Sequence, residues 1–364
     1  MYATTVTDKL PTVGLHHRAA PLVATILVAV GLVVPANPVA GRTPEPPLER
    51  VRDVRLHGRS SRFDYQSADA PGRRLYVAHL GDSALDVIDL DTLRVVGTVP
   101  ELANVHGVLA VPEIGRVFAS ATGTNELVTL DASTDQVAAR TPTGTFPDGV
   151  GYDPRDDLVL VSNKNAGSET VIEGRSGRVV RAVQLGREVG NVAYDPSSGL
   201  AYVSVRPPDQ VVALDPTTGA ITDRVRLKDC RGAHGLYLQT ETQQAFVACE
   251  NNAKVVMVDL RNHRQIAAAS VGDNPDVLAY DPGLGRLYVA AESGVVTVFS
   301  PNGDRLHKLG QTHLADKAHS VAVDPTTHLV FFPLERDPDK PGLRVMKPVR
   351  TAGGVGVETR AAGQ

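Results

Sequence analysis

Apolar residues in this chain come in short bursts, alternating or continuous, and each burst is closed by Gly, Pro, Asn or Asp. The stretch Arg74–Thr92, RLYVAHLGDSALDVIDLDT, shows the unit: a strand over Leu75–Ala78, a turn, a strand over Ala84–Ile88 and a closing Asp89. β-branched and aromatic residues between turn formers predict strands, not helices. Near-copies return as RVFASATGTNELVTLDAST from Arg116, LVLVSNKNAGSETVIEGRSG from Leu158 and LAYVSVRPPDQVVALDPTTG from Leu200. Three more are QAFVACENNAKVVMVDL from Gln244, RLYVAAESGVVTVFS from Arg286 and LVFFPLERD from Leu329. Positions equivalent to His79 are then Ala121, Asn163, Val205, Cys249, Ala291 and Leu334, at steps of 42, 42, 42, 44, 42 and 43 residues.

A period of about 40–45 residues built only from strands predicts an all-β propeller with one four-stranded blade per repeat. Seven copies predict seven blades. A single such sheet has two faces to bury and must stack on its neighbours, and closing the ring removes the exposed ends. The last repeat offers strands at Ser320–Val323, Val330–Phe332 and Leu343–Met346 but no fourth. An orphan alternating segment, Val51–Leu56, precedes the first repeat and ends 8 residues before Asp64, much as Val99 lies 7 before His106. It is expected to complete the last blade.

These motifs, with the YDP turns at Asp153, Asp195 and Asp281, resemble the YVTN-repeat (YncE-like) family of bacterial seven-bladed propellers over about residues 50–345. The resemblance implies the propeller fold and an exported protein. Relatives on the same scaffold include lyases, lactonases and amine-dehydrogenase heavy chains, which is likeness of fold only.

The N-terminus agrees with export. Residues 21–34 form an apolar run preceded by Arg18 and followed by Pro35-Ala36, with small residues at Val34 and Ala36. The run is short for a membrane span and reads as a signal peptide cleaved after Ala36 or, second, after Ala40. The expected organisation is a signal peptide over 1–36, a Pro-rich lead-in over 37–48, the propeller over 49–348 and a tail over 349–364. A periplasmic or extracellular location follows. The two cysteines fit it: Cys230 lies just before the inner strand of the fifth blade and Cys249 ends the next strand, so antiparallel pairing brings them together. A disulfide is expected in an oxidising compartment, against two unrelated reduced thiols as the alternative.

Charge narrows the partners. The net charge is −4 with no Lys/Arg run, and Trp is absent. Neither a nucleic-acid footprint nor a base-stacking or carbohydrate-binding platform is evident, although some YncE-like proteins have been linked to DNA. The expected partner is an unidentified small-molecule ligand or protein, and the chain is expected to be a monomer without a stable membrane span.

Candidate chemistry lies at the start of each inner strand, where one equivalent position reads Asp64, His106, Asp148, Gly190, His234, Asp276 and His319. In a propeller this position opens on one mouth of the central channel. The chain holds only 11 His, so three at one repeat position are informative. Imidazole and carboxylate are ligands for Zn, Mn, Fe or Cu, and three convergent ligands with an open position are the catalytic-metal pattern. Three readings stand: a metal on His106, His234 and His319, a metal-free ligand site, and polar groups bonding to neighbouring backbone or channel water. The His-Gly and Asp-Gly pairs also read as turns.

A second set follows the second strands, where Glu250, Glu292 and Glu335 occupy the position equivalent to Leu80, with Asn163 and Asn251 nearby and Lys317 ahead of the seventh inner strand. Acids on one side of the ring suit a cation, an amine or general-base work, or are solvated loop charges. Asp89, Asp131, Asp215, Asp259, Asp153, Asp195, Asp281 and Asp324 are explained by turn capping. No CxxCH, P-loop, dinucleotide fingerprint, GxSxG or HExxH occurs, so neither haem nor nucleotide is expected. Two functions fit: an exported binding scaffold using its channel-mouth loops, or a metal-dependent lyase or lactonase-like hydrolase there.

Overall fold

A computed structural model describes residues 47–337 and 339–349. The proposed signal peptide, nearly all of the Pro-rich lead-in and nearly all of the tail lie outside these residues. Each repeat becomes one antiparallel four-stranded sheet, and there are seven of them. Blade 1 runs Gln66–Asp69, Arg74–His79, Ala84–Asp89 and Arg94–Val99 from the channel outward. Blades 2 to 6 repeat this order, and inner strands of successive blades touch all the way round, the seventh meeting the first.

Blade 7 is closed as expected. Its fourth, outermost strand is Leu48–Arg55, paired antiparallel with Gly342–Pro348 from Leu48 opposite Pro348 to Arg55 opposite Gly342. The Arg344 guanidinium fastens the joint by donating to both oxygens of Asp53 at 2.9 and 3.2 Å.

The core is distributed between blades, not gathered at a centre. Phe118, Leu127 and Val111 of blade 2 pack on Val159, Val161 and Ile172 of blade 3. Phe331 and Val345 of blade 7 meet Leu75, Val77 and Ile88 of blade 1 across the closure. Burial of apolar faces on both sides of each sheet explains the near-continuous apolar second strands, such as Leu158–Asn163, which is buried throughout. The disulfide is present: Cys230 and Cys249 are bonded, with Cα atoms 5.2 Å apart.

Two details of the inner strands position the site. In blades 2 to 6 each carries a one-residue bulge at the ring position, for example between Val105 and Val108 and between Ala233 and Leu236. A bulge releases a residue from the ladder and re-aims its side chain. The glycines that follow His106 and His234 are not in turns. A Cβ on Gly107 would stand 2.1 Å from the Asp148 carbonyl oxygen, and one on Gly235 1.8 Å from that of Asp276. The glycines let adjacent inner strands approach, and Ser120 Oγ stitches that joint, accepting from Gly107 N–H and donating to the Asp148 carbonyl, both at 2.7 Å.

Candidate functional site

In blades 2 to 6 the bulges turn the ring residues towards one mouth of the channel, where a cavity of about 200 Å³ opens. His106, Asp148, His234 and Asp276 line it from the inner strands and Asp64 from the segment just before one, with Glu250 and Glu292 from the loops after the second strands. Further along the channel the Tyr65 hydroxyl donates to Asn191 Oδ1 at 2.7 Å, joining blade 1 to blade 4. Tyr65 and Asn191 in turn border a wider space of about 410 Å³, lined mainly by apolar inner-strand residues such as Leu109, Val150, Leu236 and Val321.

Around the mouth, imidazoles and carboxylates alternate. His106 Nε2 lies 3.8 Å from Asp64 Oδ2, and His319 Nε2 lies 3.8 Å from Asp276 Oδ2. His234 Nε2 lies 3.5 Å from Asp276 Oδ1 and 3.8 Å from both Asp148 Oδ2 and Glu250 Oε1. All these spacings exceed ordinary hydrogen-bond length. The ring residues other than the half-buried His106 are nevertheless buried, and Asp148 Oδ1, Asp276 Oδ1, His234 Nδ1 and His319 Nε2 have no hydrogen-bond partner among the described residues. Native proteins rarely leave buried polar atoms in that condition without reason.

Two imidazoles have a fixed tautomer. His106 Nδ1 lies 2.8 Å from the Asn104 carbonyl oxygen and His319 Nδ1 2.8 Å from that of Lys317. A carbonyl only accepts, so Nδ1 carries the hydrogen, and in the neutral ring Nε2 presents its lone pair to the carboxylates. Burial, then the carboxylates of Asp276 and Asp148, push Asp64 up to about 8. Burial also raises Asp276 and Glu250, and burial followed by Lys164 and Arg206 holds His234 well below the ordinary imidazole value.

Three cations stand among these acids, and none was expected from the sequence. Arg62 pairs with Glu292 at 2.7 Å and stays 4.0 Å from Asp64 and Asp276. Lys164 is 3.9 Å from Asp148 Oδ2. Arg206 bridges Glu250 and Glu188. A signal for two of them existed: the position of Glu250, Glu292 and Glu335 reads Leu80, Thr122, Lys164 and Arg206 in the first four blades. The full ring is therefore cationic in blades 3 and 4 and anionic in blades 5 to 7.

Not every expected residue reaches the cavity. The Asn163 amide is consumed locally, donating to Ser168 and Thr170 and accepting from Gly144 N–H at 2.9 Å. Glu335 sits 3.9 Å from Lys317, away from the lining residues. His106, His234 and His319 do not form a three-His site. Among the described residues, the sets of three donors within 4.8 Å of one another are Asp64–Asp276–His319 and His234–Glu250–Asp276, each with one imidazole. Equivalent blade positions share a radius but not a neighbourhood, so rings from blades 2, 5 and 7 meet the acids beside them.

Fold and site together define a seven-bladed β-propeller with a buried, charged cavity at one channel mouth. No protein-family model matches the chain, and no curated protein does. No described helix is long and apolar enough to cross a membrane.

Proposed function

We propose that this chain is an exported propeller that binds a ligand through the loop face at the central channel. The observation that carries the reading is the cavity bordered by buried ring atoms that lack partners, since a ligand would satisfy them. The disulfide, the apolar run before Pro35 and the resemblance to YVTN-repeat propellers support export. Residues 1–36 are then the cleaved leader, and mass spectrometry of protein secreted by a bacterial host should show a mature N-terminus at Asn37, or at Gly41.

Ligand binding is tested by thermal unfolding in the presence of divalent cations, small amines, lactones and esters. A ligand at one hundred times its Kd stabilises by about 2.7 kcal/mol, a shift of several degrees. Asp148→Asn should cancel that shift. If every compound moves parent and variant equally, the channel mouth is not the binding site.

A second reading, a metal-dependent lyase or hydrolase, is favoured by the two convergent donor sets. A metal there would polarise a carbonyl or activate water, with a neighbouring carboxylate as base.

A further inference from the structure

We propose that Asp276 bridges two divalent first-row metal ions, one held with Asp64 and His319, the other with His234 and Glu250. The inference rests on the reading of the channel mouth as the binding site and replaces the three-His arrangement with a different ligand set.

Three observations lead to it. The two oxygens of Asp276 point to different imidazoles, Oδ1 to His234 at 3.5 Å and Oδ2 to His319 at 3.8 Å. The carboxylate thus lies between two donor sets, each of which it completes. Second, the spacings suit a shared ion. Ligands about 2.1 Å from a tetrahedral metal stand about 3.4 Å apart, whereas hydrogen bonds between such atoms are shorter than about 3.2 Å. The imidazole–carboxylate pairs His319–Asp276, His234–Asp276 and His234–Glu250, at 3.5 to 3.8 Å, are spaced like edges of a coordination polyhedron, and the remaining donors of each set lie within 4.8 Å.

Third, the local charge is only partly compensated. Glu292 has Arg62, Glu250 has Arg206, and Lys164 stands beside Asp148. Asp64 and Asp276, both buried, have no cation nearer than 4.0 Å apart from the imidazoles, with Asp276 Oδ1 unpartnered. His319 Nε2, 1 % exposed as a residue and likewise unpartnered, faces them with its lone pair. A buried lone pair aimed at a carboxylate is repulsive until a cation lies between, and 3.8 Å from Asp276 is too long for a shared proton to relieve it. Its Nδ1–H, fixed on the Lys317 carbonyl, is the outer support usual for a metal-bound imidazole. His234 lacks that support on Nδ1, so its ion should be the weaker of the two. One nitrogen and two carboxylates per ion suit Mn²⁺ or Zn²⁺.

The test is elemental analysis and titration calorimetry of mature protein, prepared without a His tag, stripped and reloaded with Mn²⁺ or Zn²⁺. The parent should hold two ions per chain in two affinity classes, and Asp276→Asn should lose both. His319→Gln should lose the tighter ion and His234→Gln the weaker. Circular dichroism checks that each variant is folded. Exchange-coupled Mn²⁺ signals in the unsubstituted protein give a readout that no folding defect can mimic. One ion or none in the parent overturns the bridge, as does an Asp276→Asn variant that keeps an ion. A metal-free parent that still shows ligand-dependent stabilisation cancelled by Asp148→Asn would leave the binding site standing without the metals.

Discussion

Aspartate recurs at two kinds of position in these repeats, and the two kinds live in opposite conditions. At the turns it is surrounded by donors. Asp131 accepts from the N–H groups of Ser133 and Thr134 and from the Ser133 hydroxyl, which hold it at about 2. Asp89 and Asp259 accept two N–H groups each in the same way and are also lowered. At the channel mouth Asp64 and Asp276 are raised, first by burial. Recurrence alone therefore does not mark function. The turn acids recur because each turn needs an acceptor, and the need is met on the spot. The ring acids recur where local cations, at 3.9 to 4.0 Å, repay their burial only in part, which is the usual condition of a site built for something else.

The largest effect should come from an acid that shares the burial of the ring but lies outside it. Glu169 is fully buried, has Ser162 Oγ as its hydrogen-bond partner at 2.6 Å, and is pushed up to about 8. Below pH 4.5 it is neutral in both folded and unfolded chains. Between 4.5 and about 8 the folded chain keeps a proton that the unfolded chain releases, so stability falls as pH rises. At 1.36 kcal/mol per unit the loss by pH 9 is on the order of 4 kcal/mol. Glu169→Gln keeps the shape and the Ser162 bond and should flatten that slope in urea melts at pH 5 and 9. Parallel pH profiles for parent and variant would show that burial is not what raises the acid.

Next in size is a fully satisfied buried acid. Asp324 accepts both nitrogens of the Arg73 fork at 3.1 and 3.0 Å, together with Thr326 N–H and the Thr327 hydroxyl. Asp324→Ala leaves a half-buried guanidinium and a turn without its acceptor, at a cost of about 3 kcal/mol. The urea midpoint should fall accordingly, with ligand binding at the channel mouth unaltered. Asp148→Asn should behave in the reverse way. It removes a buried charge but also the partner of Lys164 at 3.9 Å, so stability should change by no more than about 1 kcal/mol, while the ligand-induced thermal shift disappears. A large destabilisation by Asp148→Asn would erase the distinction between the two kinds of acid.

The fold was legible because a repeat of short apolar bursts admits few architectures, and the unpaired Val51–Leu56 had a repeat with three strands of its own, blade 7, to complete. The ring was legible because the bulge falls at the same place in blades 2 to 6. What the repeat could not reveal is which side chains meet. Tyr65 and Asn191 follow the ring position in blades 1 and 4, where blades 2, 3 and 5 have Gly. Their bond depends on two repeats that depart from the pattern. Arg62 was missed because its position, two before the ring residue, varies freely, reading Arg62, Asn104, Phe146, Glu188, Gly232, Asn274 and Lys317 round the blades. Asn163 was misplaced because its alignment position fixes the strand end but not the turn that consumes its amide.

The smallest effect tests the other side of the comparison. Burial pushes Asp215 up, but Thr217 N–H at 2.8 Å, Thr218 N–H at 3.2 Å and the Thr217 hydroxyl all donate to it, together outweigh burial and hold it at about 2. A lowered folded-state value stabilises above the unfolded value of 3.8, and that stability is lost as pH falls through about 2. Water replaces most of these bonds when the turn opens and screens the charge, so Asp215→Ala should cost no more than about 1 kcal/mol. Carboxyl NMR should place the Asp215 midpoint near 2 in the parent. A midpoint near 3.8 would mean that the turn donors do not hold the charged form, and local satisfaction would no longer explain why the turn acids recur. The recurrence of the ring acids would then lose its contrast, and only the ion count at Asp276 could still set them apart.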